Sequence, residues 1–140
     1  MLFRSDCKRL FKSKIIKYWQ NEWHQEDRNC LHKIKPIIEY WPSSIQNTRP
    51  HEVTLCRLRI GHTRHTHSYR MSGTPPPMCQ RCDVQISIEH LLIECPNYST
   101  QRTLAFGRNA TLKSILSECD TFNINAINNF LKAIKIIDLI

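Results

Sequence analysis

The chain has 140 residues, 41% of them hydrophobic, which is enough for one domain with a core and is not a disordered composition. It has only three glycines and neither a dinucleotide-binding fingerprint nor a P-loop, so it lacks a recognisable Gly-rich phosphate loop. The net charge of +8 favours a polyanionic partner, either nucleic acid or an anionic membrane surface, although it could also serve solubility alone.

The first segment, residues 1–48, predicts a helix followed by extended chain. Apolar residues recur every three to five positions between residues 7 and 26, and lysines fill most of the other face. Pro36 and Pro42 forbid a long helix in the next stretch. We therefore predict an extended segment there, in the manner of an edge strand, with a turn at residues 41–44.

The second segment, residues 49–74, predicts a basic helix. Pro50 suits a first helical turn, and the pattern continues to about Tyr69, with Gly61 as a point of interruption. A Pro-rich stretch then separates it from the third segment, residues 75–106.

The longest acid-free window begins after Glu52 and ends before Asp83. Arginine forks suit phosphate oxygens and single-stranded bases, so we predict a strip here that contacts nucleic acid. The alternative is a solvated helix face whose arginines pair with acids of the first segment. The predicted contact residues are Arg57, Arg59, His62, Arg64, His67, Arg70 and Arg81. Arg57 and Arg64 are seven residues apart, which would place them on one face of a continuous helix.

The third segment contains the spacing C-x2-C-x7-H-x4-C, formed by Cys79, Cys82, His90 and Cys95. Thiolates and imidazoles are the ligands of tetrahedral zinc, and four protein ligands leave no open position for a water nucleophile. On a continuous helix His90 and Cys95 would point about 140° apart, so the helix must end before Cys95, and Pro96 supplies that ending. We predict one structural zinc ion; the alternative is two surface thiols, one buried cysteine and a solvated histidine.

Other side chains leave alternatives open. His62, His65 and His67 form either a second metal site or, more simply, polar or phosphate contacts. The aromatic residues that could stack on bases are Trp19, Trp23, Trp41, Tyr40 and Tyr98, although the first two lie on an apolar helix face typical of a core. The remaining cysteines, which have no ligand partners at a usable spacing, are predicted to be small core residues or free thiols: Cys7, Cys30, Cys56 and Cys119.

The rest of the chain predicts further helices. Ser87 is a candidate N-cap for a short helix through His90, and another helix is expected at about residues 97–106. The fourth segment, residues 107–140, ends in an amphipathic tail in which Ile127, Leu131, Ile134 and Asp138 follow one row. The expected fold is a small, mainly α domain with a zinc-knuckle-like turn and at most a short β-hairpin.

No catalytic group is evident. The twelve acidic residues are mostly isolated, whereas polymerases and ribonuclease H-type nucleases need clustered carboxylates to hold metal ions. We therefore predict no enzyme activity and no small-molecule substrate. There is neither a secretory signal nor an apolar run of 18 residues, and the cysteine count is odd, so we expect reduced thiols, a nuclear or cytoplasmic location and no membrane partner. A basic amphipathic transit peptide is the alternative for the N-terminus.

Several motifs in order support a family resemblance. LCRLRIGHTRHTHSYRMSG, PPPMCQRC and IEHLLIECPNYSTQR resemble the C-terminal zinc-binding (CCHC) end of the polyproteins of arthropod jockey-type non-LTR retrotransposons, and similarity extends over roughly residues 19–103. In that family the segment follows the reverse transcriptase and, where present, the ribonuclease H domain. The resemblance implies a nucleic-acid-binding zinc accessory segment that lacks those catalytic domains here. Its implied partners are RNA or DNA, most directly the element's own RNA, and the upstream enzyme domains. The alternatives are a protein–protein module, in which the tail docks on a partner, and an inert remnant.

Overall fold

The structure is a computed structural model that describes residues 4–40, 46–117 and 121–140. The fold is mainly α, and the described residues include one two-stranded antiparallel sheet, so the predicted fold class is confirmed. The turn predicted at residues 41–44, Trp41 and Cys119 lie outside the described residues. The helices are α1 (Arg4–His24), α2 (Cys30–Ile34), α3 (Arg49–Ile60), α4 (Arg64–His67), α5 (Tyr69–Ser72), α6 (Ser99–Phe106), α7 (Leu112–Leu116) and α8 (Thr121–Ala133). The strands are β1 (Met78–Cys79) and β2 (Val84–Gln85).

Helix α2 corrects the prediction of extended chain after α1. Its first turn is capped by Asn29, whose Oδ1 accepts a hydrogen bond from the Leu31 N–H at 2.9 Å. Pro36 does exclude helix at its own position, and the preceding Lys35 already leaves the helical region. The proline therefore ends a short helix instead of preventing one.

The basic segment is broken at Gly61. This residue has φ 81°, and the N–H of His62 donates to the carbonyl oxygen of Arg57 in the pattern of a Schellman cap. A new helix, α4, then starts behind Thr63, whose hydroxyl accepts from the Thr66 N–H. The prediction that Arg57 and Arg64 share one continuous helix face is therefore wrong.

The core draws side chains from all four segments of the sequence. Within it, α8 packs on α6 and α7, and α2 packs on α3 and α7. Ile127 and Leu131 are buried as the predicted row requires, whereas Asp138 at the end of that row is exposed. Large buried side chains in this cluster include Ile34, Leu55, Leu58, Ile88, Leu92, Leu116, Ile124 and Phe130. No helix in the described part of the chain is long and apolar enough to cross a membrane.

Candidate metal centre and basic surface

Four potential metal ligands converge at the edge of the core. One donor atom from each of Cys79, Cys82, His90 and Cys95 can be chosen so that all lie within 4.8 Å of one another. Cys82 is half-buried and the other three are buried. Three sulfurs and one imidazole nitrogen at this separation form a group that could hold a metal ion.

A tight hairpin supplies the first two ligands. Cys79 on β1 pairs with Val84 on β2, and Cys82 lies in the turn between them. The turn closes through the Asp83 N–H, which donates to the carbonyl oxygen of Cys79 at 2.9 Å. Asp83 adopts φ 53°, a left-handed conformation that aspartate tolerates better than most residues.

A π-helical turn supplies the other two ligands. Residues His90–Glu94 form this turn, and the Cys95 N–H donates to the His90 carbonyl oxygen at 2.8 Å, an i to i+5 bond. Cys95 itself is extended, with φ −61° and ψ 119°, and Pro96 follows it. The prediction that the helix ends before Cys95 is confirmed. The π-turn was not foreseen; it accommodates one residue more than an α-turn between His90 and Cys95.

Hydrogen bonds orient His90 toward the sulfurs. The backbone N–H of His90 donates to Ser87 Oγ at 3.0 Å, as expected if Ser87 is the N-cap. The imidazole Nδ1 of His90 lies 3.4 Å from a carboxylate oxygen of Glu94. Its Nε2 is buried with no hydrogen-bond partner, which would be costly in a site without a metal. A carboxylate on one ring nitrogen with the other left open is the usual arrangement of a metal-binding histidine.

The thiols perturb one another's protonation. The His90 imidazole, together with backbone N–H groups of Arg81 and Cys82, lowers the pKa of Cys79 to about 6. Burial, followed by the neighbouring sulfurs of Cys79 and Cys95, raises the pKa of Cys82 to about 11. Crowded thiolates repel one another, so a cation at their centre would stabilise all three in the ionised form.

Arg102 on α6 braces the metal-binding turn, a role that no sequence motif indicated. Its Nε donates to the carbonyl oxygen of Leu92 at 2.7 Å, and its Nη2 donates to that of Cys95 at 2.8 Å. Carbonyls at the end of a helical turn lack partners within it. Arg102 satisfies them and fixes the position of Cys95.

Arg59 does not belong to the predicted nucleic-acid surface. It is buried, and its Nε donates to the carbonyl oxygen of Leu116 at 2.8 Å, at the C-terminus of α7. A guanidinium in that position completes a helix end inside the fold. Sequence alone could not separate this arginine from its exposed neighbours. Arg57 is exposed, but its Nη1 donates to the backbone oxygen of Ile140 at 2.5 Å, which also gives it a tertiary role.

Four of the predicted contacts form, together with Tyr69, a surface beside the hairpin, which we call the ring surface: His62, Arg64, His67, Tyr69 and Arg70. The rings of His62 and His67 lie 3.9 Å apart, and those of His67 and Tyr69 lie 6.2 Å apart. The Tyr69 hydroxyl accepts from Arg70 Nε at 3.4 Å and from Gln85 Nε2 of β2 at 3.5 Å. Arg64, the first residue of α4, is exposed. Sequence reasoning missed Tyr69.

Arginine supplies the permanent positive charge on the ring surface. Burial, followed by the nearby His62, lowers the pKa of His67, which favours its neutral form at neutral pH. Within the described residues, no salt bridge pairs Arg57, Arg64, Arg70 or Arg81 with a carboxylate. The alternative of a helix face neutralised by acids of the first segment therefore has no support there. Arg81, in the hairpin turn, is exposed and donates to Asn97 Oδ1 at 3.0 Å.

The second metal site considered for His62, His65 and His67 is not formed. In the part of the chain that the structure describes, the metal-compatible group is the Cys79 cluster. Of the remaining cysteines, Cys7 and Cys56 are exposed and Cys30 is half-buried.

The aromatic candidates separate into two kinds. Trp19 and Tyr40 are exposed, so the core position expected for Trp19 is wrong. Trp23 is half-buried, and its Nε1 donates to the carbonyl oxygen of Lys35. Tyr98 packs edge-on against Phe130 in the core.

Comparison with known proteins does not identify the chain. No protein-family model, curated protein or solved structure matches it.

Proposed function

We propose that the chain is a zinc-stabilised, mainly helical module that binds nucleic acid and has no catalytic site of its own. The observation that carries the proposal is the ring surface. Rings of His62, His67 and Tyr69 follow one another beside exposed arginines, and Gln85 ties this surface to the hairpin that presents two of the cluster cysteines.

The donor set supports zinc as the ion. Cys79, Cys82, Cys95 and His90 provide three sulfurs and one nitrogen, a combination that suits a structural zinc site. Four protein ligands leave a tetrahedral ion no open position for a reacting water. Zinc would thus hold the hairpin against the π-turn, and the chemistry of the ion would not take part in a reaction.

The ring surface supports nucleic acid as the partner. Single-stranded binding combines arginine or lysine contacts to phosphates with rings on which bases stack. Arg64, Arg70 and Arg81 are exposed and lie in a window without acidic residues. Because such contacts release counterions, we expect binding to weaken strongly with salt.

The test is a titration of labelled single-stranded RNA and DNA, followed by fluorescence anisotropy at several salt concentrations. The combined variant Arg64→Gln/Arg70→Gln/Arg81→Gln should bind more weakly and reduce the slope of log K against log salt by about 2, since each phosphate contact on a single strand contributes about 0.7. Arg108→Gln removes an exposed arginine outside this surface and is the matched control. Affinity of the native protein that stays flat between low and moderate salt would exclude the proposal.

We also propose that the module derives from a jockey-type retrotransposon polyprotein and acts inside the cell, where thiols stay reduced. Support comes from the order of motifs in residues 58–98, which resembles that family, and from the absence of disulfides among the described cysteines. The test is the genomic sequence upstream of the reading frame, translated in frame. Polymerase or nuclease motifs there would support the origin, and an unrelated upstream sequence would argue against it.

A further inference from the structure

One face of α1 exposes large side chains to solvent. Phe11 is 68% exposed, Tyr18 62% and Trp19 57%. The tertiary hydrogen bonds of α1 lie near its C-terminal end, where Gln20 Nε2 donates to the Pro36 carbonyl oxygen at 2.8 Å. The N-terminal part of the helix therefore presents an aromatic face that the rest of the described chain does not cover.

Lys8 and Lys12 lie on the same face, so the prediction that the lysines fill the opposite face is wrong for these two. Lys8 is three residues before Phe11 and Lys12 is seven before Trp19, spacings that bring side chains to one side of a helix. Residues 7–21 contain five basic side chains and no acidic one. The row from Phe11 to Trp19 is about 12 Å long at 1.5 Å per residue. Rings and positive charges thus alternate along a short, open surface.

We infer that this face of α1 is a second binding site for single-stranded nucleic acid. Bases stack on Phe11 and Trp19, and the ammonium groups of Lys8 and Lys12 contact the neighbouring phosphates. This arrangement matches the two chemical features of a single strand, a flat apolar base and a regularly spaced anion. The site is separate from the ring surface and does not depend on it.

Two other occupants fit the face less well. A helix that lies on a membrane needs a continuous apolar face with its charges on the opposite side, whereas Lys8 and Lys12 interrupt this one. A second copy of the chain would bring two helices of the same positive charge together. The charge pattern favours a polyanion in both comparisons.

Acidic side chains separate the α1 face from the ring surface. Trp19 lines a groove together with Glu22, Trp23 and Glu26, and the next groove runs from Glu26 to His62 and His67. Glu22 and Glu26, in the groove that Trp19 lines, disfavour a continuous phosphate track between the two surfaces. We therefore expect independent contributions to affinity.

The experiment uses the full chain with Trp23→Phe and Trp41→Phe, so that Trp19 is the single tryptophan. A single-stranded oligonucleotide should quench Trp19 fluorescence, and a duplex of the same sequence should quench it much less, because its bases are already stacked. In the otherwise native chain, Trp19→Ala should lower the affinity for the single strand about 5- to 150-fold. Leu104→Ala, at an 82% exposed apolar residue of α6, is the control and should change nothing.

The outcomes distinguish this site from the ring surface. Loss of affinity in Trp19→Ala, with none in Arg64→Gln/Arg70→Gln/Arg81→Gln, supports the α1 site and rejects the ring surface; the converse result rejects the α1 site. Absence of Trp19 quenching also overturns the inference. If sedimentation velocity shows a dimer of the native protein that is lost in Trp19→Ala, the occupant of this face is a second copy of the chain and the inference is wrong. Trp19-dependent binding to phosphatidylserine vesicles, without single-strand binding, would assign the face to membranes.

Discussion

Replacing Cys95 by serine tests whether the cysteine cluster holds a metal that the fold requires. The Cys95 side chain is 1% exposed, and its Sγ lies 3.8 Å from that of Cys79. Serine fits the space but replaces a thiolate with a hydroxyl, which is a poor zinc ligand. We expect Cys95→Ser to lose most of its metal affinity, and chelation of the native protein to have the same structural effect.

The expected loss of stability follows from the apolar side chains that the metal-binding segment buries in the core. Between Cys82 and Cys95 lie Ile88, Leu91 and Leu92, each no more than 2% exposed. Burying one such side chain stabilises a fold by about 1.5–3 kcal/mol, so the three together contribute about 5–9 kcal/mol. A domain of this size has a total stability of about 5–15 kcal/mol. Release of the segment would therefore leave the chain unfolded or close to it.

The assay combines metal analysis with unfolding. The native protein should contain one zinc per chain, and its helical circular dichroism should collapse when a chelator is added and return with zinc. Cys95→Ser should resemble the chelated state. Cys56→Ser is the matched control, since Cys56 is exposed and outside the cluster, and it should retain both metal and helix content. If native protein in chelator unfolds at the same urea concentration as before, or if Cys95→Ser retains full zinc, the four-ligand site is wrong.

Three further changes have distinct expected outcomes. Arg59→Met should lower the free energy of unfolding by about 1–3 kcal/mol in urea titrations, because the Leu116 carbonyl oxygen loses a buried donor. The affinity for nucleic acid should stay unchanged. If a stable Arg59→Met variant binds nucleic acid more weakly, Arg59 contacts nucleic acid after all. Gly61→Ala should cost more stability than Gly73→Ala: both glycines have positive φ, but only at Gly61 would a Cβ meet another atom, Cys30 Cβ at 3.0 Å. Equal costs would show that this contact relaxes freely. Zinc affinity should rise with pH, because the pKa of Cys82 is raised to about 11 in the metal-free site and the ion must displace that proton. Calorimetry in buffers of different ionisation enthalpy should therefore register proton release on zinc binding at neutral pH. Binding heats that do not depend on the buffer would contradict this expectation.

Local constraints in the sequence determined the metal cluster and the fold class. The pair Cys79 and Cys82 needs only a turn to converge, and Pro96 forces Cys95 out of the helix whatever lies elsewhere in the chain. The apolar row of the tail likewise predicts which side chains are buried: Ile127 and Leu131 recur at a helical spacing, and both lie in the core. Signals of this kind depend on neighbours in sequence, so sequence alone reveals them.

Tertiary structure decided which basic and aromatic side chains remain at the surface. Arg57, Arg59 and Arg64 look alike in sequence, yet their environments differ. Arg57 contacts Ile140, Arg59 is buried against the end of α7, and Arg64 is exposed. Trp19 has the spacing of a core residue, but it is exposed because no other described element packs over that part of α1. Burial depends on elements distant in sequence, which supply or withhold the partner. The residue types fixed what each side chain can bind, and only the packing fixed which of them can reach a partner.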